Sequence, residues 1–441
     1  MTLPDRLAQH FEFKHLGTNW RTELLGGVTT YVTMAYVIFV NPAILHEAGL
    51  PIAAVTVATC LCAAVASMLM GAFARYPIAL APGMGLNAYF TYSVVKGMGV
   101  PWETALGAVF LSGVAFLLLT LAGLRQLIVK AIPRELYSAV AVGIGLFIAF
   151  IGLRNSGLII ASPATFVALG NLRAPQALLA IFGLLVTLVL FVRRIPGAIL
   201  LGIVASTLVA IVTGLVSWKP AHFSIAELGG TAFHLDVLSA LRLGGLEIIF
   251  VFLFVDLFDN LGTLLAVTRE AGLVPTNLTQ ANEEIPRLRR ILLTDSIATM
   301  FGSLMGTSTV VSYVESAAGI AAGARSGVTA IVVGLLFLLS LPLASLAGLI
   351  PASATAPALI LVGALMMASA ADIDWPDPVA AIPAFLTILT IPLTFSIATG
   401  ISFGFIASAL LRVVAGRFQR EDWLLYLLAV LCILRFAYLA G

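Results

Sequence analysis

Apolar stretches separated by short polar breaks run along almost the whole chain. They cover 22–44, 52–73, 103–123, 136–153, 175–192, 196–216, 246–268, 290–306, 327–348, 354–371, 378–392 and 396–415. Most approach the ~20 residues that a helix needs to cross hydrocarbon. Their composition, rich in Leu, Ala, Val and Gly without strict alternation, predicts helices and not barrel strands. Two shorter pieces, 83–95 and 314–323, bring the count to fourteen segments. A last apolar piece, 423–440, carries Arg435 in its interior, and the pattern leaves open whether it lies on a membrane surface or forms an extra span.

The two short pieces break the pattern in the same way. Around the third segment the sequence reads Ala79-Leu80-Ala81-Pro82-Gly83-Met84-Gly85-Leu86-Asn87-Ala88, where Pro82, Gly83 and Gly85 oppose a regular helix. Around the tenth, Thr307 to Tyr313 is β-branched and alternating, which favours an extended strand, and Val314 to Ala322 follows as a helix of about half a bilayer. Unpaired backbone groups are costly in hydrocarbon, so two extended pieces are expected to pair antiparallel and to start two half-helices. The positive ends of those half-helices would face whatever is bound.

Composition changes the picture only by fixing the class. The 441 residues are 61% hydrophobic and 10% charged, against roughly 25% charged in a soluble domain. This is a polytopic membrane protein. Its net charge of +2 points to no nucleic acid, because the basic residues sit between segments. Residues 1–21 hold charges and no apolar core, so no cleavable signal peptide is expected. Lys96, Arg154, Arg173, Lys219 and Arg242 fall on one side and nearly all other Lys and Arg on the other, so the N-terminus is expected in the cytoplasm and the protein in the cell membrane. Cys60, Cys62 and Cys432 lie in apolar runs as small core residues. No metal site is expected, and no Ser/His or Cys/His cluster of an enzyme stands in the spans.

The chain also repeats itself. His46 to Pro51 is matched by Glu270 to Pro275, Ser67-Met68-Leu69-Met70-Gly71 by Gly302-Ser303-Leu304-Met305-Gly306, Leu121-Ala122-Gly123 by Leu346-Ala347-Gly348, Ile132-Pro133 by Ile350-Pro351, and Ile195–Ser206 by Ile397–Ser408. Seven spans per copy is an odd number, so the second copy enters the membrane with opposite orientation. That is an inverted repeat, the plan of many secondary transporters. The expected division is a first repeat at 1–217, a connecting loop at 218–245, a second repeat at 246–415 and a tail at 416–441.

Four acids fall inside segments of the second copy. Asp256 and Asp259 lie three residues apart on one face of the eighth, Asp295 in the ninth and Glu315 in the tenth. Intramembrane acids are costly and functional by default. Such a group can take up and release a proton, so Asp256, Asp259, Asp295 and Glu315 are the candidates for proton coupling. A carboxylate also accepts paired N–H donors of a flat heterocycle, while broken backbone offers N–H to its ring atoms. With what a family resemblance adds to this chemistry, the expected binding set is Glu315, Asp259, Asn87, Gly85, Leu86, Val311, Ser312 and Phe258. Asn87 also suits a helix cap, and Tyr89, Phe90 and Phe254 are available for stacking or for plain packing.

The blocks Ala81–Ala88, Phe254-Val255-Asp256-Leu257-Phe258-Asp259 and Thr307–Ala330 closely resemble the AzgA-like purine permeases of the xanthine/uracil permease superfamily. The resemblance implies fourteen spans in a seven-plus-seven inverted repeat. It implies a core domain of spans 1–4 and 8–11 moving against a gate domain of spans 5–7 and 12–14. The implied activity is proton-coupled uptake of adenine, guanine or hypoxanthine, with no cofactor beyond the proton. Asp259 matches the family's span-eight substrate acid, Glu315 its span-ten acid, Asn87 its span-three polar residue and Asp295 its span-nine acid. Asn260 and Ser326-Gly327-Val328 depart from the common Thr and Thr-Gly-Leu. The expected function is import of a purine base by elevator-type symport. Expected partners are the base and membrane lipid, with a homodimer as a further expectation. The alternative is an anion carrier of the same fold, of the sulfate kind.

Overall fold

The computed structural model describes residues 2–123, 132–217, 224–270, 287–417 and 422–438. Residues 218–223 of the connecting loop, 271–275 of the first repeat match and 283–286 of a charged inner loop lie outside them. The fourteen apolar segments are present as helices, with spans three and ten reduced to half-helices and spans one and eleven each divided in two. Span one is two helices, Trp20–Met34 and Val37–His46, joined at Ala35 and Tyr36, and Asn19 caps the first by accepting the Thr22 N–H at 3.0 Å. Span two, Ile52–Leu69, runs on into a wider turn at Met70–Ala74. Spans four to seven are Trp102–Leu121, Arg134–Asn155, Pro175–Val192 and Ala198–Val212. Spans eight and nine are Leu243–Glu270 and Leu288–Met305. Span eleven bends by 59° between Gly327–Leu339 and Leu341–Leu349, where Pro342 denies the helix an N–H. Ala352–Met366, Pro378–Thr394 and Ile397–Val414 complete the set.

Four strands occur among the described residues: β1 (Leu80–Pro82), β2 (Ile159–Ser162), β3 (Phe166–Leu169) and β4 (Val310–Ser312). β1 and β4 pair antiparallel, Leu80 opposite Ser312 and Pro82 opposite Val310. This is the expected strand-plus-half-helix arrangement, with shorter strands than the Thr307–Tyr313 pattern suggests. The half-helices that follow are Met84–Ala88, continued by a wide helix at Tyr89–Gly97, and Ser316–Ala321. The β2–β3 hairpin between spans five and six carries no periodic signal long enough to be read from sequence.

The packing has the symmetry expected of the inverted repeat. Span two lies on eleven as nine lies on four; one lies on eleven as eight lies on four; five lies on thirteen as twelve lies on six. Exchanging each span for the one seven along maps these pairs onto each other. Spans five, six, seven, twelve, thirteen and fourteen pack chiefly among themselves. Close approaches use small residues, as where a Cβ on Gly71 would meet the Gly327 carbonyl at 2.3 Å and one on Gly363 would meet the Gly145 carbonyl at 2.3 Å. Outward faces expose Leu118, Leu185, Leu208, Leu339 and Leu410, the surface suited to lipid.

The C-terminal piece is a helix, Trp423–Tyr438, packed on span fourteen. Its Arg435 turns inward, pairing with Glu247 of span eight at 2.6 Å and donating to Ser402 Oγ of span fourteen at 3.3 Å. The arginine that left this segment ambiguous in sequence is thus what ties it to the bundle.

Candidate functional site at the strand crossing

The crossing forms because both chains are forced out of helix at the same level. Gly306 ends span nine at φ 93°, and a side chain there would strike Thr231 Oγ1 at 2.4 Å. Thr307, Ser308 and Thr309 then keep the chain extended into β4. Opposite, Pro82 cannot donate a ladder bond and closes β1. The backbone groups freed by leaving helix find partners. Gly83 N–H donates to Thr309 O at 2.9 Å and Tyr313 N–H to Ala79 O at 2.9 Å. The Tyr313 hydroxyl donates to Pro82 O at 2.5 Å, and Leu80 N–H donates to Ser67 Oγ at 3.0 Å. Gly83 suits the close approach, since a Cβ there would meet Val311 Cγ2 at 2.9 Å and force that side chain to shift.

On the span-ten side the polar groups are acidic. Glu315 stands immediately before the half-helix and is half-buried; its Oε1 accepts the Tyr36 hydroxyl of span one at 2.7 Å. Asp259 is also half-buried and close enough to Glu315 for the two charges to interact. Asp256 and Asp295 are buried, at 1% exposure each, and are bridged by one amide. Asn260 Nδ2 donates to Asp256 Oδ1 at 2.7 Å and to Asp295 Oδ2 at 2.7 Å, while its Oδ1 accepts the Ser312 N–H at 2.9 Å. Asn260 therefore ties two acids to β4. The Ser312 hydroxyl is buried and has no hydrogen-bond partner among the described residues.

On the span-three side the polar groups are neutral. Asn87 is fully buried; its Nδ2 donates to Asn41 Oδ1, and its Oδ1 accepts the Ser308 hydroxyl. Asn41 in turn donates to Thr59 Oγ1 at 2.7 Å and Thr307 Oγ1 at 3.0 Å. Asn87 is thus part of a cluster linking spans one, two and three to the extended segment Thr307–Ser308 that leads into β4.

Of the expected binding residues, the crossing brings together Glu315, Asp259, Val311 and Ser312, with Asn87 in the cluster behind. Gly85 faces span five, where a Cβ would meet Ile144 Cγ2 at 2.6 Å, and Leu86 is buried in the core. The side chain of Phe258 lies outside the described residues. Tyr89 and Phe90 pack against Phe252, with centroids 5.1 and 6.5 Å away, and Phe254 packs edge-on against Phe405 at 5.1 Å. All three rings are core packing, the second of the two roles their sequence positions allowed.

Three polar residues escape sequence reasoning as parts of this framework. Tyr36 lies in an apolar run, Asn260 registers only as a departure from the family pattern, and Glu23 stands at the edge of span one. Glu23 is fully buried and accepts the Arg325 N–H at 2.9 Å, the Thr329 hydroxyl at 2.7 Å and the Thr18 hydroxyl at 2.6 Å. It fastens the start of span eleven to span one, as a carboxylate at a helix N-terminus does. An acid in the first turn of an apolar helix was the available signal.

Residues 21–403 match the Permease family Xan_ur_permease. The chain belongs to this family. The guanine/hypoxanthine permease PbuG of Bacillus subtilis is 45% identical to it over 444 residues, covering 97% of this chain and 99% of that one. The adenine permease AdeP of Escherichia coli is 42% identical over 433 residues, covering 98% and 96%. Among solved structures, the transmembrane domain of a cyanobacterium bicarbonate transporter, BicA, is similar with a TM-score of 0.64 at 19% identity, covering 88% of this chain and 97% of that one. That likeness concerns the fold alone. The permease is a multi-pass membrane transport protein and not an enzyme. Its crossing offers two partly accessible carboxylates beside backbone that has left the helical ladder, and a bridged pair of acids behind them.

Proposed function

We propose that the permease imports purine nucleobases across the cell membrane by proton symport, with its N-terminus in the cytoplasm. The observation that carries this reading is the full-length likeness, at 42% and 45% identity, to proteins named as adenine and guanine/hypoxanthine permeases. The site chemistry supports it. Glu315 and Asp259 are the two accessible acids of the crossing and can accept N–H donors of a purine, with the Ser312 hydroxyl available to a ring atom or carbonyl. Asp256 and Asp295, joined through Asn260, form the proton-exchanging group behind them. Because Asn260 also holds the Ser312 N–H, a change of charge on either acid is felt at the strand that lines the base.

Transport then requires that the crossing face each side in turn. In our reading, spans 1–4 and 8–11 carry it as one body past spans 5–7 and 12–14, whose separate packing suits a fixed frame. The anion-carrier alternative rests on fold likeness only, and the acids at the site oppose it.

Uptake of radiolabelled hypoxanthine and adenine into cells lacking their own purine uptake tests the function. Saturable accumulation that collapses with the proton gradient is expected. Transport of bicarbonate or sulfate, with no competition by purines, would overturn it.

A further inference from the structure

We infer that Tyr36 is a positioning residue for the transported base: its hydroxyl fixes the Glu315 carboxylate in the orientation that receives the ligand. The inference rests on the reading of Glu315 as a substrate acid. Four observations carry it. The Tyr36 hydroxyl donates to Glu315 Oε1 at 2.7 Å and is the one side-chain donor to that carboxylate among the described residues. Glu315 makes no capping bond to the half-helix it precedes, so its own segment offers the carboxylate only the backbone N–H of the same residue. Tyr36 is 1% exposed whereas Glu315 is half-buried, so a ligand can reach the acid and not the ring. Finally, the two elements are held at fixed separation. A Cβ on Gly319 of the half-helix would meet the Gly26 carbonyl of span one at 2.5 Å and Thr30 Oγ1 at 2.1 Å. Span one and the half-helix are therefore in close contact at Gly319, one turn beyond Glu315.

The physical consequence follows from ordering. A glutamate side chain has several rotatable bonds, and a ligand that must immobilise it binds less tightly than one that meets it already placed. Tyr36 occupies one lone pair of Oε1 and leaves Oε2 for the base. Its position at the junction of the two helices of span one matters too. The helix Val37–His46 starts at the next residue, so Tyr36 is held by backbone on both sides.

Tyr36→Phe keeps the ring and removes the hydroxyl. Initial-rate uptake of radiolabelled hypoxanthine, normalised to protein in the membrane, should show KM raised about tenfold, as for loss of a hydrogen bond to a charged group. The maximal rate should stay within about twofold and the thermal unfolding midpoint in detergent should not move. An unchanged KM, or a loss confined to maximal rate or to abundance, would overturn the inference. Glu315→Gln is measured alongside. If it retains the KM of the unaltered protein, the reading of Glu315 fails and takes this inference with it. If it loses affinity while Tyr36→Phe does not, the inference about Tyr36 fails alone.

Discussion

On the span-three side of the crossing, Asn87 gives both ends of its amide to neutral partners, Asn41 and Ser308. On the opposite side, Asn260 gives its amide to two carboxylates and to the Ser312 N–H. The two clusters hold equivalent broken segments in place, and each uses an asparagine to do so. They differ in what they can do afterwards. Amides and hydroxyls satisfy one another and cannot change charge near neutral pH, so the first cluster has one state. Carboxylates can gain and lose protons, so the second has several. The crossing joins two similar broken segments, and of the two clusters only the one beside β4 contains carboxylates.

That comparison can be broken by substitution. The largest effect is expected from Glu315→Ala and Asp259→Ala, each lowering purine uptake at least about a hundredfold with the fold intact, since each removes a charged acceptor from the accessible side. Normal transport in either variant would remove that residue from the site. Next comes Asn260→Leu, which leaves two buried acids without their shared donor and the Ser312 N–H without its acceptor. Uptake is expected to fall more than about tenfold, together with a lower unfolding midpoint, because each buried polar group left unpaired costs about 1–3 kcal/mol. A midpoint that drops while the pH dependence of uptake stays unchanged would make Asn260 a structural residue only. The smallest effect on transport is expected from Asn87→Ala. It should destabilise by about 1–3 kcal/mol, read as a lower unfolding midpoint, while KM for the base stays within about threefold. A large rise in KM with an unchanged midpoint would show that the neutral side contacts the base and would erase the distinction.

Much of this was legible from local pattern. Hydropathy gave the spans because every segment must satisfy its own backbone in hydrocarbon, which is a constraint on contiguous residues. Pro82 and Gly83 marked the first break and the β-branched run from Thr307 the second, because such residues act through their own dihedrals and missing N–H groups. The four acids stood out because a carboxylate in an apolar run is expensive wherever it points. The partners of those acids were not legible. Tyr36 is separated from Glu315 by 279 positions and Asn260 from Asp295 by 35, and nothing in the residues between them specifies either contact. The aromatics next to the motifs were equally ambiguous: Tyr89, Phe90 and Phe254 have the composition of a stacking platform and the packing of a core.

The sequence alone therefore determined that this is a multi-pass membrane protein, that two matching segments are interrupted, and which residues near them can carry charge. These are properties of short windows, set by desolvation and backbone geometry. The tertiary structure decided which side of the crossing is neutral and which acidic, that one asparagine bridges two acids to the strand, that the Tyr36 hydroxyl meets Glu315, and that Arg435 docks the final helix through Glu247. Each depends on where distant spans meet, and that is fixed by close packing of small residues between helices and not by the composition of any one of them.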